Sequence, residues 1–266
     1  MPLAICATPI GNLDDITLRV LAELRDADVV LAEDTRHTRG LLDRHGIRAR
    51  LLSYHEHNEA ARVTQLLPRL QRGERVALVT DAGMPAVSDP GARLVRAALD
   101  AGVEVTVLPG ASAVETALVA SGLAAGRYAF VGFLPRKAGE LDALWRETAR
   151  WTWPVVAFES PRRLPASLGS LAAFEPAREV AVCRELTKHF EEIARGSAAE
   201  VAARFAEAPK GEITLVFGPG SVVSDPAEAR AAVADLVAAG TPRRVAADVV
   251  ARLTDLSRNA LYRGSL

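Results

Sequence analysis

The side chains best suited to chemistry fall in short runs rich in small residues. Two aspartates, two glycines and two prolines share the twelve residues from Thr80 to Gly91, TDAGMPAVSDPG. Small residues let the main chain approach a ligand closely, and an aspartate accepts hydrogen bonds from a ribose or an amine. Asp81 is therefore assigned to a ligand. Asp89, followed by Pro90, reads mainly as a helix cap with proline at the first helical position. Leu108 to Ala113, LPGASA, is a second such turn, in which Ser112 either caps a helix or meets a ligand. Thr8 to Asp15 is a third, either backbone left open for a ligand or a plain connector capped by Asp14 or Asp15.

Charge is concentrated elsewhere. Glu33-Asp34-Thr35-Arg36-His37-Thr38-Arg39 continues to Arg44, Arg48 and Arg50, and between Thr35 and Arg50 five arginines face one acid, Asp43, a local charge of +4. Such a run is either a solvated helix face or, at the end of a strand, a place for phosphates. Phe158–Arg163 and Arg184–Lys188 mix charge with turn formers, and complete a pocket or form a salt-bridged surface. His55 and His57, two apart on a strand, share a side but have no evident third ligand, so no metal site is expected. The chain has no G-x-x-x-x-G-K-[ST] phosphate loop, no G-x-G-x-x-G after its first strand and no G-x-S-x-G nucleophile elbow.

Short apolar runs alternating with helical spacing must position these loops. Strands are expected at Leu3–Ala7, Val29–Ala32, Leu51–Tyr54, Val76–Val79, Val103–Val107, Val155–Phe158, Glu179–Cys183 and Ile213–Phe217, with helices at Thr17–Arg25, Thr38–His45 and Glu59–Gln71 between the early ones. That alternation argues for an α/β fold with largely parallel pairing in the first half, and such sheets place ligands beyond the carboxyl ends of their strands. Pro109-Gly110 and Gly218-Pro219-Gly220-Ser221 divide the chain into α/β domains at 1–110 and 111–220 and a helical tail at 221–266. The tail reads as helices Pro226–Ala238 and Arg243–Leu253 and a short one begun by Ser257. At 266 residues and 49% hydrophobic, the chain can bury full cores; no apolar stretch approaches a membrane span. The two cysteines, Cys6 and Cys183, make no disulfide framework and fit a reducing cytoplasm. A net charge of −1 means that any nucleic acid must be held by a local patch.

The strings ATPIGNLDDITLR, AEDTRHTRGLL, SYHEHNE, DAGMPAVSDPGARLVR, LPGASA, GFLPRK, FESPRRL and RELTKHFEE together resemble the ribosomal small subunit methyltransferase I family, over nearly all of residues 3–217. That family belongs to the tetrapyrrole-methylase-like, class III, S-adenosylmethionine-dependent enzymes. The resemblance implies 2'-O-methylation of a cytidine (1402) in the decoding region of 16S ribosomal RNA, on naked RNA or the small subunit. It also implies two α/β domains with the donor between them, homodimers, and a small C-terminal module like a reduced helix-turn-helix. Carried over residue by residue, donor binding falls to Ile10, Asp81, Gly83, Met84, Pro85, Ser112, Ala113, Phe158, Leu186 and Thr214. Main-chain groups of Leu186 and Thr214 would read the adenine, and residues 81–85 would hold the methionine end and ribose. Met84 replaces the threonine of the family's DAGTP, a change a backbone contact tolerates. RKAGELDALW carries fewer basic residues than the family usually shows after GFLP.

Methyl transfer to a ribose hydroxyl needs alignment and a base to take the proton. Glu33, Asp34, His37, His55, Glu56 and Glu159 are the candidate bases, and spacing does not choose among them. Glu33, Asp34, Arg36 and His37 form the catalytic candidates, with Glu33 and Asp34 alternatively orienting Arg36, and Arg36 and Arg39 holding RNA phosphates. The competing expectations are a class III enzyme acting on a tetrapyrrole or other non-RNA acceptor, and an RNA-binding module without activity.

Overall fold

The computed structural model describes residues 2–220, 226–254 and 256–264. Its first sheet is entirely parallel: β1 (Leu3–Cys6), β2 (Val29–Ala32), β3 (Leu51–Ser53), β4 (Val76–Leu78) and β5 (Val105–Leu108), in the order β3-β2-β4-β1-β5. Helices cover both faces, so β1, β2 and β4 are buried at every residue, which is why they read as unbroken apolar runs. Alternate residues serve opposite cores. Leu3, Ile5, Val29 and Leu31 meet α3 (Glu59–Gln71) and α4 (Ala92–Asp100) through Leu66, Leu70, Leu94 and Ala98. Ala4, Cys6, Val30 and Ala32 meet α1 (Leu18–Asp26) and α2 (Thr35–Arg44) through Val20, Leu24 and Leu42.

Several boundaries differ from the sequence reading for local reasons. Helix α2 starts at Thr35, not Thr38, because the Asp34 carboxylate accepts the Arg36 N–H at 2.8 Å. Strand β5 starts at Val105, not Val103, because the Val103 N–H still bonds the Ala98 carbonyl at the end of α4. Neither Asp14 nor Asp15 caps a helix; Thr17 caps α1 through the Val20 N–H, and Asn12 accepts from the Asp14 N–H. Asp89 is not a cap either. Gly91 occupies that position at φ +139°, where an added Cβ would lie 2.8 Å from Leu78 Cδ2, and its N–H donates to Glu59 Oε1. A carboxylate from α3 thus does the work expected of Asp89.

The helix after β5, α5 (Ala113–Ser121), packs on the second sheet. That sheet runs β6-β7-β10-β8-β9, with β6 (Ala129–Phe133), β7 (Val155–Glu159), β8 (Glu179–Arg184), β9 (Glu192–Ser197) and β10 (Ile213–Phe217). Only the β6–β7 pair is parallel. Its other face is covered by α6 (Ala138–Thr148), α7 (Leu164–Phe174) and α8 (Ala198–Arg204). The tail forms α9 (Pro226–Ala238), α10 (Arg243–Leu253) and α11 (Arg258–Gly264), with Ser257 capping the last through the Ala260 N–H. Ala229, Val233, Ala246, Ala247, Val250 and Leu261 give it a small core of its own. Ser221 of the expected linker and the tail's start at Asp225 lie outside the described residues, as do its last residues, 265 and 266.

Candidate active site

The loops leaving β1, β4 and β5 meet at one end of the first sheet. Thr8 and Gly83 form a bridge, and the Thr8 hydroxyl donates to the Thr80 carbonyl at 3.0 Å, tying the β1 and β4 loops together. Gly110 lets the β5 loop close over β1, since a Cβ there would stand 2.8 Å from that of Ala7. The two lobes then touch through the β1 loop. At Gly11 a Cβ would fall 2.7 Å from Thr187 Oγ1 and 2.8 Å from the Leu186 carbonyl, and the Asn12 N–H donates to Thr187 Oγ1 at 2.9 Å.

Beside this clasp lies a crevice of about 480 Å³, within the ~300–1,000 Å³ usual for small-molecule sites. Its first-sheet wall carries Ile10, Glu33, Asp81 to Met84, Val87 to Asp89, Ser112 and Ala113. Its second-sheet wall centres on Phe158, Thr214 and Cys183, paired side by side across β7, β10 and β8, with Leu186 beyond them. Leu186 sits between two residues in left-handed backbone, Glu185 at φ +53° and Thr187 at φ +65°. Reciprocal bonds hold that turn: the Glu185 N–H donates to the Glu212 carbonyl and the Glu212 N–H to Glu185 Oε1, while Lys188 Nζ bridges both carboxylates at 2.9 Å. The other left-handed non-glycine residues, Ala86 and Ser88, are in the β4 loop. Backbone strain among the described residues is thus confined to two segments bordering the crevice, as at sites where geometry is imposed by function.

Every residue expected to hold a donor lines the crevice except Pro85, which is buried. The catalytic candidates separate. Glu33 lines the crevice and accepts the Thr80 hydroxyl at 2.9 Å. Asp34, Arg36 and His37 do not: Asp34 caps α2 and pairs with the exposed Arg36 at 2.7 Å, and that guanidinium holds its carboxyl well below the usual range. Asp34 thus takes the orienting alternative, and its N–H donates to Asp81 Oδ1 at 3.1 Å. His55 and Glu56 stand outside the crevice lining. Glu159 lines it, but its carboxylate already accepts from the Ser160 N–H, the Ser167 hydroxyl and Arg163 at 2.5–2.7 Å. A carboxylate with three of its roughly four acceptor sites engaged, one of them by a guanidinium, is a structural anchor. Cys183 also faces the crevice, with burial pushing its thiol up to about 11, so it remains a neutral wall group. Among the described residues no cluster of three or more His, Cys, Asp or Glu side chains is arranged for a metal.

The basic strip is weaker than a count within 35–50 suggests. Arg36 is paired with Asp34 and Arg44 with Asp14, both acids outside that window, which lowers the local charge from +4 to +2. Arg39, Arg48 and Arg50 are exposed.

Three residues of the site escaped the sequence reading. The Asp-Pro-Gly pattern points Asp89 to a helix cap, within a loop whose small residues otherwise point to a ligand. Phe133, 60% exposed and edge-on to Phe158 at 5.4 Å, lies within GFLPRK but on a strand the periodicity hid. Thr80 was read only as the start of its loop; its buried hydroxyl has no spacing signal.

The walls are chemically unlike. The carboxylates without a cation partner come from the first sheet; the second supplies an aromatic and aliphatic row, with Glu159 and Glu212 paired to Arg163 and Lys188. A ligand with a flat ring at one end and positive charge at the other fits both, and S-adenosylmethionine has that form.

Comparison with known proteins agrees in kind. Residues 2–202 match the family described as Tetrapyrrole (Corrin/Porphyrin) Methylases. The chain is 47% identical to "Ribosomal RNA small subunit methyltransferase I" of Mesorhizobium japonicum, over 98% of this chain and 90% of that one. It is 42% identical to the protein of the same name from Streptococcus pyogenes, over 98% and 93%. Among solved structures, the uroporphyrin-III C-methyltransferase of Thermus thermophilus complexed with S-adenosyl homocysteine superposes with a TM-score of 0.57 at 20% identity, covering 81% of this chain and 96% of that one. At that identity the likeness speaks for the fold alone.

Proposed function

The chain belongs to the ribosomal RNA small subunit methyltransferase I family of tetrapyrrole-methylase-like enzymes, and from that premise we propose that it methylates the 2'-oxygen of a cytidine ribose (cytidine 1402) in the decoding region of 16S ribosomal RNA, using S-adenosylmethionine. The observation that carries this reading is the two-walled crevice, in which nine of the ten donor-binding positions expected from the motifs converge from both sheets. The donor is a substrate, and supplies an electrophilic methyl group on a positively charged sulfur.

The residues of the chain divide the remaining work. Asp81, with one oxygen fixed by the Asp34 N–H, is oriented to accept hydrogen bonds from the ribose or amine of the donor. Gly83, at φ +78°, turns the loop so that residues 81–84 line its path. Phe158, Leu186 and Thr214 frame the ring. Alignment of the acceptor hydroxyl with the methyl group is what such a rigid crevice contributes, at most about 7–11 kcal/mol. Arg39, Arg48 and Arg50, on and beyond the helix that starts beside Glu33, are the groups we assign to RNA phosphates. A homodimer is part of the same reading. No helix among the described residues is long and apolar enough to cross a membrane, and the cytoplasm, where small subunits are built, is the compartment the reading requires.

The experiment is incubation with labelled donor and, in parallel, small ribosomal subunits, naked 16S RNA and uroporphyrinogen, followed by mass spectrometry of the RNA fragments. The reading expects a ribose methyl group on one cytidine of the decoding region. Label in the tetrapyrrole alone would replace it with the other class III reading, and no affinity for the donor would leave the RNA-binding module.

A further inference from the structure

The proposed reaction needs a proton acceptor beside the donor, and the groups named for that role from sequence are nearly all disqualified by their positions. Asp34 is committed to Arg36 and to the start of α2, Glu159 is held by three donors including the Arg163 guanidinium, and His37, His55 and Glu56 lie outside the crevice lining. Glu33 remains, and beside it stands a carboxylate not previously considered.

Asp89 lines the crevice from the far end of the β4 loop, directly after the left-handed Ser88. The residues that fix it are rigid: Gly91 is pinned by Glu59, and the Ala86 N–H bonds the Pro90 carbonyl at 3.3 Å. Thr80, almost fully buried, donates its only hydroxyl proton to Glu33 Oε2 at 2.9 Å and also interacts with the Asp89 side chain. A hydroxyl has one proton and two lone pairs. That one proton serves two carboxylates, and the contact with Asp89 favours its ionised form, the form able to accept a proton.

We infer that Asp89, facing Glu33 across the Thr80 hydroxyl, is the group that accepts the proton of the acceptor hydroxyl during methyl transfer. This rests on the function proposed above and names a residue for it. In the step the acceptor O–H bond breaks and its proton passes to the Asp89 carboxylate. The oxygen forms its bond to the methyl carbon as the carbon–sulfur bond breaks, and that electron pair remains on sulfur, which becomes neutral. No other reactant is consumed.

The electrostatics agree. Burial pushes Asp89 up to about 6, the negative charges of Glu33 and Asp81 push the same way, and the Thr80 interaction opposes them. A base in that range is largely ionised at neutral pH and still basic enough to be useful.

The test is the pH dependence of kcat/KM for methyl transfer to small subunits, with S-adenosylhomocysteine binding measured on every variant by calorimetry to show that the crevice is intact. The wild-type rate should fall on acidification along a limb at or below pH 6. Asp89→Asn should lose about 10²–10⁴-fold and the limb with it. Glu33→Gln removes a repulsive charge and should move the limb to lower pH; Thr80→Val removes the opposing interaction and should move it to higher pH. These opposite displacements are not produced by a merely structural role. Wild-type rates in Asp89→Asn, or a limb that stays in place in both other variants, overturn the inference. Loss of activity in Glu33→Gln with retention in Asp89→Asn would transfer the role to Glu33 and also overturn it. Absence of transfer by the wild-type protein would remove the functional reading, and this inference with it.

Discussion

Single side chains in this crevice trade stability against reactivity, and two of them do so in opposite senses. Asp89 has its carboxyl raised in the folded chain, so the native state binds more protons than the unfolded one between about pH 4 and 6. Its contribution is favourable at low pH and is lost as pH rises through that window. Asp89→Asn, which has no charge to bury, should therefore be more stable than wild type at pH 7 by on the order of 1 kcal/mol after solvent screening. The difference should vanish near pH 4, as denaturant titration at the two pH values would show. Glu159 is the reverse case. Its carboxylate is nearly fully buried and shares Arg163, Ser160 and Ser167, so Glu159→Ala should cost about 1.5–3 kcal/mol by thermal or chemical unfolding. Its remaining folded molecules should transfer methyl groups at near wild-type rate; a rate loss beyond tenfold per folded molecule would return Glu159 to the candidate bases. Sequence assigns these two acids the other way round, Asp89 to a helix cap and Glu159 among the candidate bases. Both stand in turn-rich segments after strands, and only the identity of their hydrogen-bond donors distinguishes an anchor from a reactive group.

At the level of elements, the site is made by close approach between loops rather than by any one motif. At Gly11 the lobes approach closely, and Gly11→Ala would press a methyl group against Thr187 and the Leu186 carbonyl. Overpacking of this kind costs about 1–3 kcal/mol, which should weaken S-adenosylhomocysteine binding roughly tenfold in calorimetry while leaving far-UV circular dichroism unchanged. Unaltered affinity would mean that the clasp does not shape the donor site. The interior strands of both sheets were legible because burial on both faces demands apolar runs. Strands β6 and β9 were not. Gly132, at φ +70°, interrupts β6 where its register shifts, and β9 is an edge strand, EIARGS, whose polar residues mask its pairing with β8. The Asp89 assignment failed for a related reason: a helix start was correctly sensed, but the group satisfying it, Glu59, comes from a helix more than thirty residues earlier in the chain.

For the whole molecule, the formal charge of −1 leaves RNA affinity to local patches. Pairing of Arg36 and Arg44 with nearby aspartates leaves Arg39, Arg48 and Arg50 as the phosphate-binding set. Three contacts at about −0.7 each give a slope near −2, so binding to single-stranded RNA should weaken roughly 20-fold between 50 and 200 mM salt. A four-contact strip would give roughly 50-fold, and a flat response would detach RNA binding from this face. The two sheets otherwise act as a frame that brings two chemically different walls together. The measurement that bears most directly on that claim is a crystal structure with S-adenosylhomocysteine. It should show the ring between Phe158, Leu186 and Thr214 and the amino-acid end against residues 81–85. An empty crevice in crystals that hold the ligand elsewhere would contradict the account.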